Sequence, residues 1–208
     1  FIMPICPLCN SNSKAFYKDE FYECSCCKAI FRPFEKLLDN EKEKQRYESH
    51  TNDADDLGYQ NFVSPITNSV LNEFSKDDLG LDFGCGRNSP IVKVLRDKSF
   101  QIFEYDPYFF DDKSVLEKKY DYIAACEVIE HFYNPKKEFD LLYKLLKEDG
   151  VLYLMTGVYN SNIDFSKWWY KNDLTHVFIF QEETFEWIKK EFAFKDMKIE
   201  KNFIRLSR

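Results

Sequence analysis

The chain has 208 residues, 44% of them hydrophobic, with a formal net charge of −7 and a sequence pI of about 5.1. That length holds one well-buried α/β domain with a small appendage rather than two full domains. An acidic surface repels phosphate backbones, which makes nucleic acid an unexpected partner, and no apolar run approaches the roughly 20 residues that span a bilayer. No secretory signal is visible, so the expected location is the cytoplasm.

Residues 3–34 carry five of the seven cysteines, and Cys6-x2-Cys9 stands fourteen residues ahead of Cys24-x2-Cys27. Two close pairs offer four thiolates for a tetrahedral Zn²⁺, whereas disulfides are rare in a cytoplasmic chain. The expectation is a zinc ribbon over residues 1–34 with Cys6, Cys9, Cys24 and Cys27 as ligands. Four protein ligands leave no open position, so the metal is structural. Cys26 competes with Cys27, but the x2 spacing favours Cys27. Residues 35–75 read as a charged helical linker or lid, with helical patterning over Leu37 to Tyr47 and Pro65 to Phe74 and a loop at Asp53-Ala54-Asp55-Asp56 and Gly58.

From Leu79 onward short strands alternate with helices. Strands are predicted at Leu79–Phe83, Phe100–Tyr105, Tyr120–Ala125 and Val151–Met155, with one or two more between Met197 and Leu206. Helices are predicted around Ile91–Leu95, over Lys136–Leu146 with Phe139, Leu142, Tyr143 and Leu146 on one stripe, and over Thr184–Phe192. Gly150 reads as the cap region of the second of these. The alternation implies a mostly parallel sheet covered by helices on both faces, over residues 76–208.

The first strand runs into Leu81-Asp82-Phe83-Gly84-Cys85-Gly86, and an apolar helix follows Arg87-Asn88-Ser89-Pro90. A strand, a glycine turn and a helix start place backbone N–H groups and a positive helix end where a nucleotide-like cofactor binds. A dinucleotide fingerprint would carry a third glycine at Ser89, which argues against a nicotinamide enzyme. The strand about twenty residues on ends at Asp106, whose carboxylate can accept both ribose hydroxyls of a nucleoside.

At these residues the chain resembles the class I S-adenosylmethionine-dependent methyltransferases. Leu81 to Gly86 resembles their first motif, and Asp106-Pro107 the acid ending their second strand. Tyr120-Asp121-Tyr122-Ile123-Ala124-Ala125-Cys126-Glu127-Val128-Ile129-Glu130-His131 resembles the fourth strand and its loop, and Leu146-Lys147-Glu148-Asp149-Gly150-Val151-Leu152 the approach to the fifth. The match covers roughly residues 79–195. It implies a doubly wound, Rossmann-like α/β sheet and S-adenosylmethionine as methyl donor. It also implies that Asp82, Gly84, Cys85, Gly86, Asp106, Pro107, Cys126 and Glu127 border that donor. More narrowly, the chain is similar to a bacterial group that joins a zinc ribbon to this fold, through Tyr47-x2-His50, Gly58-Tyr59-x2-Phe62 and Trp169-Tyr170-x2-Asp173-x-Thr175-His176-Val177. That group names no substrate.

Asn88 and Glu104 stand where the family commonly has glycine; Asn tolerates positive φ, so the turn is expected to survive. The stretch from Asp106 to Tyr120 is short for a helix and a strand, so a third strand is expected to be vestigial.

Methyl transfer from a sulfonium is an in-line displacement, accelerated by holding nucleophile and methyl about 3 Å apart in a dry pocket. A hydroxyl or amine acceptor can also need a base, for which His176 and His131 are the candidates, with Asp173 close to His176 in sequence. Each histidine has a competing reading as a hydrogen-bonded structural residue. Trp168, Trp169, Tyr170 and Tyr159 are either pocket wall or core, and Tyr47 and His50 either a lid or helix packing. Cys85 and Cys126 read as small packing residues rather than nucleophiles. The expected activity is methyl transfer to oxygen or nitrogen of a small molecule. The alternatives are an RNA or protein methyltransferase that uses the ribbon for recognition, and a non-catalytic donor-binding protein.

Overall fold

A computed structural model describes residues 3–38, 41 and 53–208. The strands expected from Leu79 onward assemble into a six-stranded sheet of order β5-β4-β6-β7-β10-β9, made of β4 (Leu79–Phe83), β5 (Gln101–Tyr105), β6 (Tyr120–Cys126), β7 (Leu146–Met155), β9 (Asp196–Glu200) and β10 (Phe203–Ser207). The first four run parallel; β10 is antiparallel to both β7 and β9. The chain leaves β4 for β5 on one side and then crosses to β6 on the other. That reversal opens a crevice at the carboxyl ends of β4, β5 and β6.

Period-two alternation assigns the side chains to two cores. Ile123, Ala125, Leu152 and Leu154 face one way, onto Phe139 and Leu142 of α4 (Pro135–Leu145) and Phe185 and Ile188 of α5 (Glu182–Glu191). Tyr122, Ala124, Val151, Tyr153 and Met155 face the other way. They meet Ile66 and Val70 of α2 (Ser64–Glu73) and Ile91, Val92 and Leu95 of α3 (Pro90–Asp97). The covered sheet is the expected doubly wound architecture.

Several boundaries differ from expectation. A six-residue helix, α1 (Leu57–Phe62), starts inside the predicted loop, because the Asp56 carboxylate accepts from the Tyr59 amide at 2.7 Å and caps it. Gly150 does not cap α4: Leu146 already opens β7, and Gly150 lies within that strand. A Cβ there would stand 3.0–3.2 Å from the carbonyl oxygens of Lys147, Tyr120 and Asp121, so the close backbone approach is what requires glycine. Between Asp106 and Tyr120 the described chain holds a 3-10 turn at Lys113–Glu117 and no third strand of the sheet. The tail forms two strands.

The N-terminal residues build a second sheet of order β1-β2-β3-β8 from β1 (Ser13–Tyr17), β2 (Phe21–Cys24), β3 (Ile30–Phe31) and β8 (Phe178–Ile179). Ile30 and Phe31 pair antiparallel with Ile179 and Phe178, so the cysteine-bearing segment is stitched to the loop region beyond β7. Arg32, only 7% exposed, continues the contact. Its amide donates to the Val177 carbonyl at 2.9 Å and its guanidinium to the carbonyls of Lys171 (2.8 Å) and His176 (3.4 Å). Phe21 supplies a ring 4.2 Å below the guanidinium carbon.

Candidate active site

The crevice is a cavity of about 840 Å³, large enough for a nucleoside-sized ligand together with a small second one. Its lining includes Asp82, Gly84, Cys85, Gly86, Asp106, Pro107, Cys126 and Glu127 from the strand ends, and His131, Asp173 and His176 from the two loops beyond. These eleven residues, expected from the sequence to border the donor or to supply the base, thus border one space. Tyr59 of α1 closes one side, and the largely exposed Trp169 stands at the rim. Trp168, by contrast, packs with Tyr159 and Phe165 against the N-terminal sheet. Tyr47 and His50 lie outside the described residues.

Gly84 and Gly86 both take positive φ, +77° and +64°. A Cβ at Gly84 would also come within 2.7 Å of the Val128 methyls, so glycine is required twice over. Asn88 is not among the positive-φ residues, so the missing glycine costs the turn nothing. The amides of the turn are spent inside the protein rather than left for a ligand. Gly84 and Cys85 donate to the Tyr105 carbonyl at 2.7 and 3.2 Å, and Gly86 donates to Asp106 Oδ2 at 3.1 Å. The turn thus locks the end of β5 against the end of β4. Asp106 Oδ1 accepts from the amides of Tyr108 (2.9 Å) and Phe109 (3.1 Å). A carboxylate has roughly four acceptor positions, so three backbone donors leave about one for a ligand hydroxyl, not the two expected from sequence.

Asp82 is 2% exposed and accepts from Ser89, whose hydroxyl oxygen in turn caps α3 by accepting from the Val92 amide. This double duty is what serine does where a dinucleotide site has glycine. Burial pushes the Asp82 carboxyl up to about 7, with the Ser89 hydrogen bond pulling the other way. Glu104 forms an ion pair with Arg96 at 2.8 Å.

At the opposite end sits a network that sequence reasoning did not assign. Glu130 is fully buried on the 3-10 turn Ile129–His131. Its Oε1 accepts from the Tyr170 hydroxyl at 2.6 Å and its Oε2 from Thr156 Oγ1 at 3.0 Å. The Gly157 amide donates to the same tyrosine oxygen at 2.9 Å. Burial, then the neighbouring Glu130 charge, pushes the Glu127 carboxyl up to about 9, and Glu127 holds a positive φ of 52°. The available signal was Glu127-x2-Glu130-His131, two acids and a histidine on one tight loop; Tyr170, which bonds Glu130, is forty residues away.

His131 and His176 pack edge to face with ring centroids 4.9 Å apart. His131 Nδ1 lies 2.9 Å from the Thr175 carbonyl, and His176 Nδ1 lies 2.8 Å from the Tyr170 carbonyl. A carbonyl only accepts, so both Nδ1 atoms carry hydrogen and the neutral rings have their lone pairs on Nε2. Burial lowers the His176 pKa, favouring that neutral form. Asp173 Oδ1 accepts from the amide (3.0 Å) and hydroxyl (2.6 Å) of Thr175, fixing the carbonyl that orients His131.

In the N-terminal segment the sulfurs of Cys6, Cys9, Cys24 and Cys27 all lie within 4.8 Å of one another. Tetrahedral Zn–S bonds of about 2.3 Å put sulfurs about 3.8 Å apart, so the four thiols fit such an ion with small adjustment. Cys26 is exposed and outside this group; its amide instead points at Cys24 Sγ, 3.4 Å away.

A methyltransferase domain family matches residues 56–199, which is 144 of the 208 residues. The chain belongs to that methyltransferase family. Solved structures agree on the fold. An O-methyltransferase family protein from Burkholderia thailandensis has TM-score 0.55 and 11% identity over 79% of this chain and 61% of its own. Human N-acetylserotonin methyltransferase, solved with S-adenosylmethionine, has TM-score 0.53 and 13% identity over 82% and 56%. An S-adenosylmethionine-dependent methyltransferase from Archaeoglobus fulgidus has TM-score 0.53 and 19% identity over 78% and 77%. The chain thus spans only about 60% of the length of the first two. No curated protein matches the sequence. No helix among the described residues is long and apolar enough to cross a membrane.

Proposed function

We infer that this methyltransferase-family chain transfers the methyl group of S-adenosylmethionine to an oxygen or nitrogen of a small molecule. The observation that carries the reading is Asp106. One buried carboxylate is tied by backbone amides to the glycine turn, in a cavity whose other end presents two histidines. The donor's ribose would lie against Asp106 beside Gly86. The cavity lining holds five carboxyl groups (Asp82, Asp106, Glu127, Glu138, Asp173), of which burial raises Asp82 and Glu127 toward the neutral form, and two permanent cations (Arg87, Lys137), so a slight negative excess remains. That balance suits a sulfonium with its ammonium and disfavours a polyanion.

His131 and His176 then form the acceptor side, with Nε2 the nitrogen of each ring that would take a hydrogen bond or a proton from the incoming hydroxyl or amine. Asp173 is a positioning residue, acting on His131 through Thr175. The solved neighbours include O-methyltransferases and an N-methyltransferase of phosphoethanolamine, which supports the reaction class and leaves the acceptor atom open. Zinc on Cys6, Cys9, Cys24 and Cys27 belongs to the same reading, as a structural ion in the ribbon over residues 1–34 that is joined by the linker to the methyltransferase domain over 76–208.

The test is direct binding of S-adenosylhomocysteine by calorimetry, followed by labelled-methyl transfer from S-adenosylmethionine to separate pools of metabolites, RNA and protein. Affinity for the nucleoside together with label in the metabolite pool is the expected result. Absence of nucleoside binding overturns the reading, and label in RNA or protein alone overturns its substrate class.

A further inference from the structure

One carboxylate oxygen of Glu130 and one ring nitrogen from each of His131 and His176 lie within 4.8 Å of one another at the acceptor end of the cavity. Each is braced from behind. The two imidazoles are pinned through Nδ1 to the carbonyls of Thr175 and Tyr170, which makes Nε2 the ligating nitrogen of each, and Glu130 is held by the hydroxyls of Tyr170 and Thr156. Carbonyl-bonded histidines and hydrogen-bonded carboxylates are how proteins orient metal ligands. His131 Nε2 stands 4.0 Å from Glu130 Oε1, too far for a hydrogen bond. Ligand atoms bonded at about 2.1 Å to one tetrahedral ion stand about 3.4 Å apart, so an ion would close the set with each atom moving inward by about 1 Å or less.

We propose that Glu130, His131 and His176 bind a divalent first-row metal ion that holds the methyl acceptor. Two imidazoles and a carboxylate suit manganese, iron(II), cobalt or zinc, and three protein ligands leave positions open toward the cavity. The inference rests on the methyltransferase reading, narrows it to an oxygen acceptor, and has the two histidines hold the ion in place of accepting the acceptor's proton. An amine spends its only lone pair on a metal and can no longer attack, whereas a coordinated hydroxyl gives its proton to water at the cavity mouth and keeps lone pairs for the methyl carbon. A carbon–oxygen bond then forms, the carbon–sulfur bond breaks, and the sulfonium leaves as a neutral thioether.

Mn²⁺ is the probe, because it prefers imidazole and carboxylate to the thiolates of the ribbon. Protein stripped of metal and reloaded with one zinc per chain, which the four thiolates of the ribbon take first, is titrated with Mn²⁺ while the free ion is followed by electron paramagnetic resonance, and S-adenosylhomocysteine binding is measured on the same samples. The expected result is about one Mn²⁺ per chain, weakened about tenfold or more in His131→Ala, His176→Ala and Glu130→Gln and unchanged in Glu148→Gln at an exposed position near the start of β7. No uptake of Mn²⁺ or Co²⁺ by protein that still binds the nucleoside overturns this proposal and leaves the methyltransferase reading standing. Uptake indifferent to all three substitutions also overturns it. Should the variants fail to fold, paramagnetic broadening of the His131 and His176 ring signals in the unsubstituted protein decides: broadening there supports the site, and broadening elsewhere refutes it.

Discussion

Replacing Asp106 by alanine tests the donor site where the geometry is most explicit. With three of its roughly four acceptor positions taken by the amides of Gly86, Tyr108 and Phe109, the carboxylate has about one to offer a ribose hydroxyl. A hydrogen bond to a charged acceptor contributes about 1.5–3 kcal/mol, so Asp106→Ala should weaken S-adenosylhomocysteine binding about 10- to 150-fold. The three amides lose their shared acceptor as well, but they border an open cavity that water reaches, so the loss of fold stability should stay near about 1 kcal/mol. Calorimetry with S-adenosylhomocysteine and its 2′,3′-dideoxy analogue forms a double-mutant cycle. The unsubstituted protein should discriminate between the two ligands, and Asp106→Ala should bind both alike. Affinity within about threefold of the original, or undiminished discrimination in the variant, would refute the assignment.

Tyr170→Phe orphans Glu130 Oε1 and the Gly157 amide, at about 1–3 kcal/mol each. Urea denaturation of the ligand-free protein should therefore show a loss of about 2–6 kcal/mol. The contrast is Tyr153→Phe: that hydroxyl is buried without a hydrogen bond among the described residues, and the change should stay within about 1 kcal/mol. Equal effects would contradict the network. Asp82, raised from 3.8 to about 7, holds in the folded state a proton that the unfolded chain releases. Its contribution to stability is therefore full below about pH 4 and lost as pH rises to about 7, by at most about 4 kcal/mol. Asp82→Asn should flatten that slope in denaturation curves taken between pH 4 and 8, and parallel curves would sink the claim. Thiol modification should release about one zinc per chain, unchanged in Cys26→Ser and reduced in Cys27→Ser. A yield near zero would remove the metal.

What was legible in the sequence was whatever a local rule controls. The strands β4 to β7 announce themselves by apolar runs, the turn by Gly84 and Gly86, the second-strand acid by its distance from the turn, and the cysteine pairs by spacing. The missing third strand followed from a segment too short to hold it. Local rules fail where the partner is remote. Ile30–Phe31 and Phe178–Ile179 are two-residue strands with no periodicity to read, yet they join both ends of the chain. Glu130 looked like one more loop acid until Tyr170 and Thr156 stood around it. The function assigned to the turn amides was likewise a local inference, and the Tyr105 carbonyl and Asp106 carboxylate accept from the amides of Gly84, Cys85 and Gly86.

The shared edge between β3 and β8 sets a rule for anyone who wishes to trim this protein. Cutting after residue 34 looks harmless on paper, because the residues expected to meet the donor and the acceptor all lie downstream. In space it would strip the cover from Val177, Phe178 and Ile179, now 3%, 1% and 0% exposed, and leave a bare strand ready to pair with the next molecule. It would also withdraw the guanidinium that steadies the carbonyls of Lys171 and His176. The small sheet backs the loop that carries Lys171 and His176, and the two halves belong together.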